Sequence, residues 1–151
     1  NLPYNIASPL VVELLIAGVE LLAFTVQKEV AQRLRAGAGE DEYGPLGVMV
    51  QMLAKVEVLR VLPPQAFWPA PKIESALVRL VRADQLGPKA AEFGGFVAKL
   101  FSARRKTMRK AMAQCGVDAE RVLAEVAVDA RKRPEELSPA DLWRVFAASG
   151  Q

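Results

Sequence analysis

Leu21-Leu22-Ala23-Phe24-Thr25-Val26 runs directly into Gln27-Lys28-Glu29-Val30-Ala31-Gln32-Arg33-Leu34, and this junction decides the fold. The first stretch is short, uncharged and rich in strand formers, the pattern of a strand buried on both faces in a parallel sheet. The second reads as a helix closed by Gly37. Ahead of both, Ser8-Pro9 is a helix start, with Ser8 as N-cap and Pro9 at the first helical position, and Leu10 to Ala17 continue it as an apolar run. Glu13 and Glu20 stand seven apart and give that helix a thin polar stripe. Helix, buried strand and helix in succession predict an α/β layer.

Past the helix, Gly37 to Gly44 contains Glu40, Asp41 and Glu42 and reads as a flexible acidic loop. Leu46 to Ala54 reads as a buried helix. Lys55-Val56-Glu57-Val58 and Ile73 to Val81 alternate as half-exposed strands do. Between these strands, Leu62-Pro63-Pro64-Gln65-Ala66-Phe67-Trp68-Pro69-Ala70-Pro71-Lys72 carries four of the ten prolines. Proline fixes φ and removes donors, so the segment is a stiff loop with little freedom to lose on binding. Phe67 and Trp68 at its tip are open to two readings, as caps on the core or as ligand contacts.

Near Asp84 to Pro88 the composition shifts to helical periodicity, which predicts a boundary between residues 1–84 and 85–151. Phe93, Phe96, Val97, Leu100 and Phe101 share one helix face. Ser102 to Lys110 then carries Arg104, Arg105, Lys106, Arg109 and Lys110 and no acid. On a helix starting near Arg105, Met108, Ala111, Met112 and Cys115 form an apolar stripe, while Arg105 with Arg109 and Lys106 with Lys110 form two positive rows. Like charges at that spacing repel, and an anion such as phosphate relieves them; an ordinary solvated helix face is the alternative reading. Cys115, on the apolar stripe, reads as packing rather than reactive. Gly116 ends this helix, Asp118 caps the next, and Ser138-Pro139-Ala140-Asp141 starts the last.

Composition removes whole classes of chemistry. With no histidine and one cysteine among 151 residues, zinc sites, Ser-His or Cys-His triads and imidazole catalysis are excluded, and no metal site is expected. The single cysteine is compatible with a reducing cytoplasm, the expected location. Apolar stretches are too short to span a bilayer, so no membrane association is expected. The net charge of +3 is modest, and its basic residues cluster. The sequence opens on Asn1-Leu2-Pro3-Tyr4-Asn5-Ile6 without an initiating methionine, and we read it as the C-terminal part of a longer protein. In that opening, an amide and a main-chain carbonyl could accept from an exocyclic amine while a tyrosine stacks on a flat base; a simple turn is the alternative.

The opening hexapeptide, Gln27 to Arg33, Tyr43-Gly44-Pro45-Leu46, Ala66 to Ala76 and Phe101 to Arg109 occur in one order. Together they resemble the small-subunit ribosomal RNA adenine dimethyltransferases, and more distantly the erythromycin-resistance rRNA methylases. The resemblance implies an α/β fold: the C-terminal half of a Rossmann-like S-adenosylmethionine-dependent methyltransferase domain over 1–84, then a small all-α RNA-binding domain over 85–151. It implies methyl transfer from S-adenosylmethionine to the exocyclic amines of two adjacent adenosines in 16S rRNA, in an immature small ribosomal subunit, by a monomer. Asn1, Leu2, Pro3, Tyr4 and Phe67 are the implied catalytic residues, with Asn1 also touching the cofactor. Lys72, Arg104, Arg105, Lys106, Arg109 and Lys110 are the expected RNA contacts.

The family's glycine-rich cofactor loop lies before the Asn-Leu-Pro-Tyr motif, and neither Gly37-Ala38-Gly39 nor Gly94-Gly95 follows a strand. The 151 residues alone are therefore expected to lack most of the cofactor site and to be inactive. A non-catalytic rRNA-binding or assembly module and a 23S rRNA methylase are the competing readings.

Overall fold

The computed structural model describes residues 6–150, so Asn1 to Asn5 lie outside the description that follows. The first half alternates helices and strands: α1 (Ala7–Ile16), β1 (Leu21–Gln27), α2 (Lys28–Arg35), α3 (Pro45–Leu53), β2 (Ala54–Leu62) and β3 (Ser75–Arg82). The second is helical: α4 (Ala90–Ser102), α5 (Met108–Ala113), α6 (Ala119–Glu125) and α7 (Pro139–Ser149). This is the α/β class that the strand–helix junction predicted.

The sheet order is β1-β3-β2, with β3 antiparallel to both neighbours, so β1 and β2 run parallel to each other without touching. The expectation of a β1 buried on both faces within parallel neighbours is thus corrected. Its partner among the described residues is antiparallel β3, with Phe24 opposite Val78 and Val26 opposite Ala76. Phe24 and Val26 are buried beneath the helices, while Leu21 is 58% exposed. An apolar run signals a strand, but strand direction depends on a partner about fifty residues away, which periodicity does not encode. Leu59 has no counterpart on β3, a bulge that bends β2.

Local signals succeeded or failed for identifiable reasons. The N-cap of α1 is Ile6, not Ser8, and no side chain caps that end; Ser8 and Pro9 both sit inside the first turn. The helix buries Ala7, Val11 and Leu15 along one stripe and leaves Ile16 exposed, so it is less enclosed than its composition suggested. Gly37 does not close α2 in a left-handed conformation. Ala36 ends the helix in an extended conformation, and Gln51 Nε2 donates to the Leu34 and Ala36 carbonyls at 3.1 and 2.9 Å, satisfying groups a glycine cap would otherwise serve. The positive φ falls two residues later, at Gly39 (88°). Gly47 permits α3 to lie on α2, since a Cβ there would stand 2.5 Å from the Arg33 carbonyl oxygen.

The acidic stretch after α2 is not a loose loop. Gly37 N donates to the Glu40 carboxylate at 2.8 Å, Gly39 N reaches the Glu135 carbonyl at 2.8 Å, and Tyr43 is 1% exposed. The Tyr43 hydroxyl donates to the Leu137 carbonyl at 2.7 Å and its ring meets Phe101 edge-on, 5.9 Å between centroids. At the turn before α4, Asp84 accepts from Leu86 N and Gly87 N at 2.8 and 3.0 Å. Buried side chains on both sides of that turn belong to one continuous cluster. In the helical half the predicted face is the observed one: Phe93, Phe96, Val97, Leu100 and Phe101 are all buried.

Candidate functional site

Two surface features carry the residues singled out above. The first is the proline loop between β2 and β3. Pro64–Ala66 forms a 3-10 turn in which Ala66 N donates to the Pro63 carbonyl at 3.0 Å and Phe67 N to that of Pro64 at 3.2 Å. Phe67 follows this turn half-buried and outside the core cluster, and Trp68 is 98% exposed. The core-capping reading fails for Trp68, which touches solvent on nearly all its surface. Both ends of the loop, Pro64 and Lys72-Ile73-Glu74, line an open groove of about 610 Å³ with Lys28, Glu29 and Gln32 of α2. Lys28 Nζ bridges to Glu74 Oε2 at 2.7 Å, tying α2 to the loop's return. Lys72 is exposed and makes no ion pair with a described carboxylate.

The second feature is the basic turn. Arg104, Arg105 and Lys106 are exposed in a turn closed by Arg104 N to the Phe101 carbonyl (3.2 Å) and Lys106 N to that of Ala103 (2.8 Å). The helix expected from Arg105 begins only at Met108, with Thr107 as N-cap. Arg105 with Arg109 and Lys106 with Lys110 therefore do not stack as rows on one helix. The acid-free spacing was also incomplete in three dimensions, because Glu120 of α6 reaches Arg109 at 3.0 Å. Arg104, Arg105, Lys106 and Lys110 make no ion pair with a described acid. Of the expected apolar stripe, Met108, Ala111 and Met112 are fully buried and anchor the turn from beneath, while Cys115 lies past the end of α5 and is half-buried. Burial pushes the Cys115 thiol up, in line with a packing role.

Sequence reasoning missed the second half of this basic surface. Met108 N donates to the Lys132 carbonyl at 2.7 Å and Arg109 N to that of Ala130 at 3.3 Å, which docks Arg131-Lys132-Arg133 against the start of α5. Thr107, Arg109, Lys110, Ala113, Ala130 and Arg131 line a shared groove. Arg131 is held by Asp129, whose carboxyl its hydrogen bonds keep below the usual carboxylate range. Three consecutive bases at 131–133 were a readable signal, but the first cluster is more than twenty residues away and only the fold joins them. Asn1, Leu2, Pro3 and Tyr4 fall outside the described residues. Among those residues no group of acids, cysteine or histidine could hold a metal, and no helix is long and apolar enough to cross a membrane.

The mixed α/β fold matches that of a solved dimethyladenosine transferase from Plasmodium falciparum with a TM-score of 0.83 at 24% identity, covering 99% of this chain and 66% of that one. The 23S rRNA methyltransferase ErmE matches with a TM-score of 0.66, also at 24% identity, over 99% of this chain and 63% of that one. In sequence, the family model for ribosomal RNA adenine dimethylase matches residues 1–149, and the chain belongs to that family. Its relatives include ribosomal RNA small subunit methyltransferase A of Marinobacter nauticus, 44% identical over 96% of this chain and 54% of the relative. The protein of the same name from Legionella pneumophila is 40% identical over 93% of this chain and 56% of the relative. The chain thus spans about half the length of the curated relatives it matches.

Proposed function

We propose that this chain forms the acceptor and RNA-binding part of an enzyme that transfers methyl groups from S-adenosylmethionine to the exocyclic amines of two adjacent adenosines in 16S rRNA, as a cytoplasmic monomer acting on an immature small subunit. The observation that supports the small-subunit assignment is the name its sequence relatives carry, ribosomal RNA small subunit methyltransferase A, at 44 and 40% identity. Residues 85–151 act as the helical RNA-binding domain and residues 1–84 as the second half of the methyltransferase domain.

The residues assigned above support a role on the acceptor side of the reaction. S-adenosylmethionine supplies an activated methyl group. Neither Gly37-Ala38-Gly39, in a turn tied to Glu40, nor Gly94-Gly95, inside α4, is a glycine-rich loop following a strand. The chain's own groups act on the acceptor. In this reading the Asn1 side chain and the Leu2 carbonyl accept hydrogen bonds from the adenine amine and orient it, and Asn1 borders the cofactor. Tyr4 and Phe67 take opposite faces of the flipped base. An adenine amine is a weak nucleophile, so holding it in line contributes much of the acceleration. Lys72 and the basic turn hold the phosphates.

Primer extension on both ribosomal RNAs after methylation by the whole protein tests the assignment: stops at two adjacent adenosines in the small-subunit RNA are expected, and stops in the large-subunit RNA overturn it. Asn1→Ala abolishes the stops. Arg105→Ala with Lys106→Ala weakens RNA binding and lowers the slope of log K against log salt by about one to two, at roughly 0.7 to 0.9 per phosphate contact. An unchanged slope returns the turn to an ordinary solvated surface.

A further inference from the structure

Trp68 is 98% exposed. The other tryptophan behaves differently: Trp143 packs against Phe93 and Phe146 with centroids 5.3 and 5.4 Å apart. Large aromatics are ordinarily covered, so an indole left in water is held out by its surroundings against its own preference. The holding is visible in the loop. Pro63, Pro64, Pro69 and Pro71 restrict φ around the tip. The 3-10 turn at Pro64–Ala66, closed by two main-chain hydrogen bonds, fixes the residue just before Trp68. Both feet of the loop stand on one groove, with Lys72 on the return arm and no described carboxylate paired to it.

We propose that Trp68 is a stacking platform for an unpaired nucleobase adjacent to the adenosine that Phe67 faces. A flat indole on a stiff arm, four residues from an available cation, suits a single-stranded polyanion with π-faces better than an aliphatic protein surface, which would neither require a planar ring nor favour an adjacent lysine. Stacking accepts any base, so Trp68 supplies affinity and placement of the strand rather than base identity. The inference rests on the methyltransferase reading above and adds a contact to it.

The test uses the whole protein, S-adenosylmethionine and small-subunit particles as the RNA. Trp68→Ala raises KM for the particle roughly tenfold and leaves kcat unchanged, the size expected for one lost base stack. Trp68→Phe restores most of the affinity, and Trp68→Leu, apolar but not aromatic, does not. Subtracting the emission of Trp68→Phe from that of the parent isolates the Trp68 signal, which is quenched by a single-stranded RNA oligonucleotide containing two adjacent adenosines. An unchanged KM for Trp68→Ala, or equal affinity for Trp68→Leu and Trp68→Phe, overturns the platform, as does quenching by ribosomal proteins but not by RNA. Phe67→Ala is measured alongside. A fall in kcat there with a silent Trp68→Ala overturns the platform alone, while silence at both positions overturns the acceptor-site reading as well.

Discussion

Every large apolar side chain exposed among the described residues lies before Asp84: Ile6, Ile16, Leu21, Leu59, Val61, Trp68, Ile73 and Val81; the helices that follow expose none. Single exposed apolar residues are ordinary, but their confinement to one half is informative. In the helical half the rings pack largely on one another, with Phe101 meeting Tyr43 of the first half. Phe93 and Phe96 of α4 each lie 5.5 Å from Phe146 of α7, and Phe93 also meets Trp143 edge-on. Its α6 and α7 are capped by side chains, with Asp118 accepting from Arg121 N at 3.2 Å and Ser138 from Asp141 N at 3.1 Å. Neither α1, α2 and α3 of the sheet half nor α4 and α5 have a side-chain N-cap bond. The two sheet edges differ as well. Lys55, Glu57, Arg60 and the Leu59 bulge make β2 a poor template for further pairing, whereas β1 is uncharged and unbulged along its length. The helical half keeps its large apolar side chains covered, while the sheet half leaves the β1 edge and its outer face uncovered, and the RNA contact proposed for the proline loop falls in that half.

The largest effect that would sharpen this contrast is at Phe93, which is fully buried between two partner rings. Phe93→Ala is expected to cost about 3 to 5 kcal/mol, through lost transfer energy and the cavity left behind. Urea denaturation measures it, and a loss below about 1 kcal/mol would mean that α4 and α7 do not form the closed core described here.

An intermediate effect is expected where the two halves are tied together. Tyr43→Phe removes the hydroxyl that donates to the Leu137 carbonyl, at an expected cost of about 1 to 3 kcal/mol because that carbonyl loses a buried donor. Burial raises the pKa of the Tyr43 phenol well above its usual range, with the Asp141 carboxylate adding to the shift. A folded-state pKa above the unfolded value means that the folded protein keeps the proton longer. Its contribution is complete below about pH 10, where an unfolded tyrosine begins to ionise, and is lost as pH rises further. Thermal melts at pH 8 and above pH 10 should therefore separate the parent from Tyr43→Phe more at the lower pH. An equal gap at both would place Tyr43 in solvent.

The same division explains what was legible in the sequence. Phe93, Phe96, Val97, Leu100 and Phe101, the Asp118 and Ser138 caps and the stop at Gly116, where φ is 74°, were readable because helix faces and caps depend on residues within four positions. What was misread depends on distant partners. The direction of β1 is set by β3, and the end of α2 by Gln51 in place of a glycine. Ser8 failed as a cap because Ile6 already begins the helix. The basic turn was legible as composition but not as geometry, since Glu120 and Arg131-Lys132-Arg133 reach it only through the fold. The proline loop marked itself by its residues, yet only the structure separates a half-buried Phe67 from a fully presented Trp68.

The smallest expected effect probes the contrast most directly. Leu21 is 58% exposed and pairs across the strands with Val81, itself 39% exposed, so the two form an apolar spot on the outer sheet face. If that face is covered only by a partner, a charge there costs the isolated chain almost nothing. Leu21→Lys should leave its stability within about 0.5 kcal/mol, as for surface substitutions generally, and reduce its self-association at high concentration. Sedimentation of the 151-residue chain checks the second effect and a urea titration the first. A loss of several kcal/mol would place Leu21 inside the chain's own core, and the sheet half would then be as well covered as the helical one.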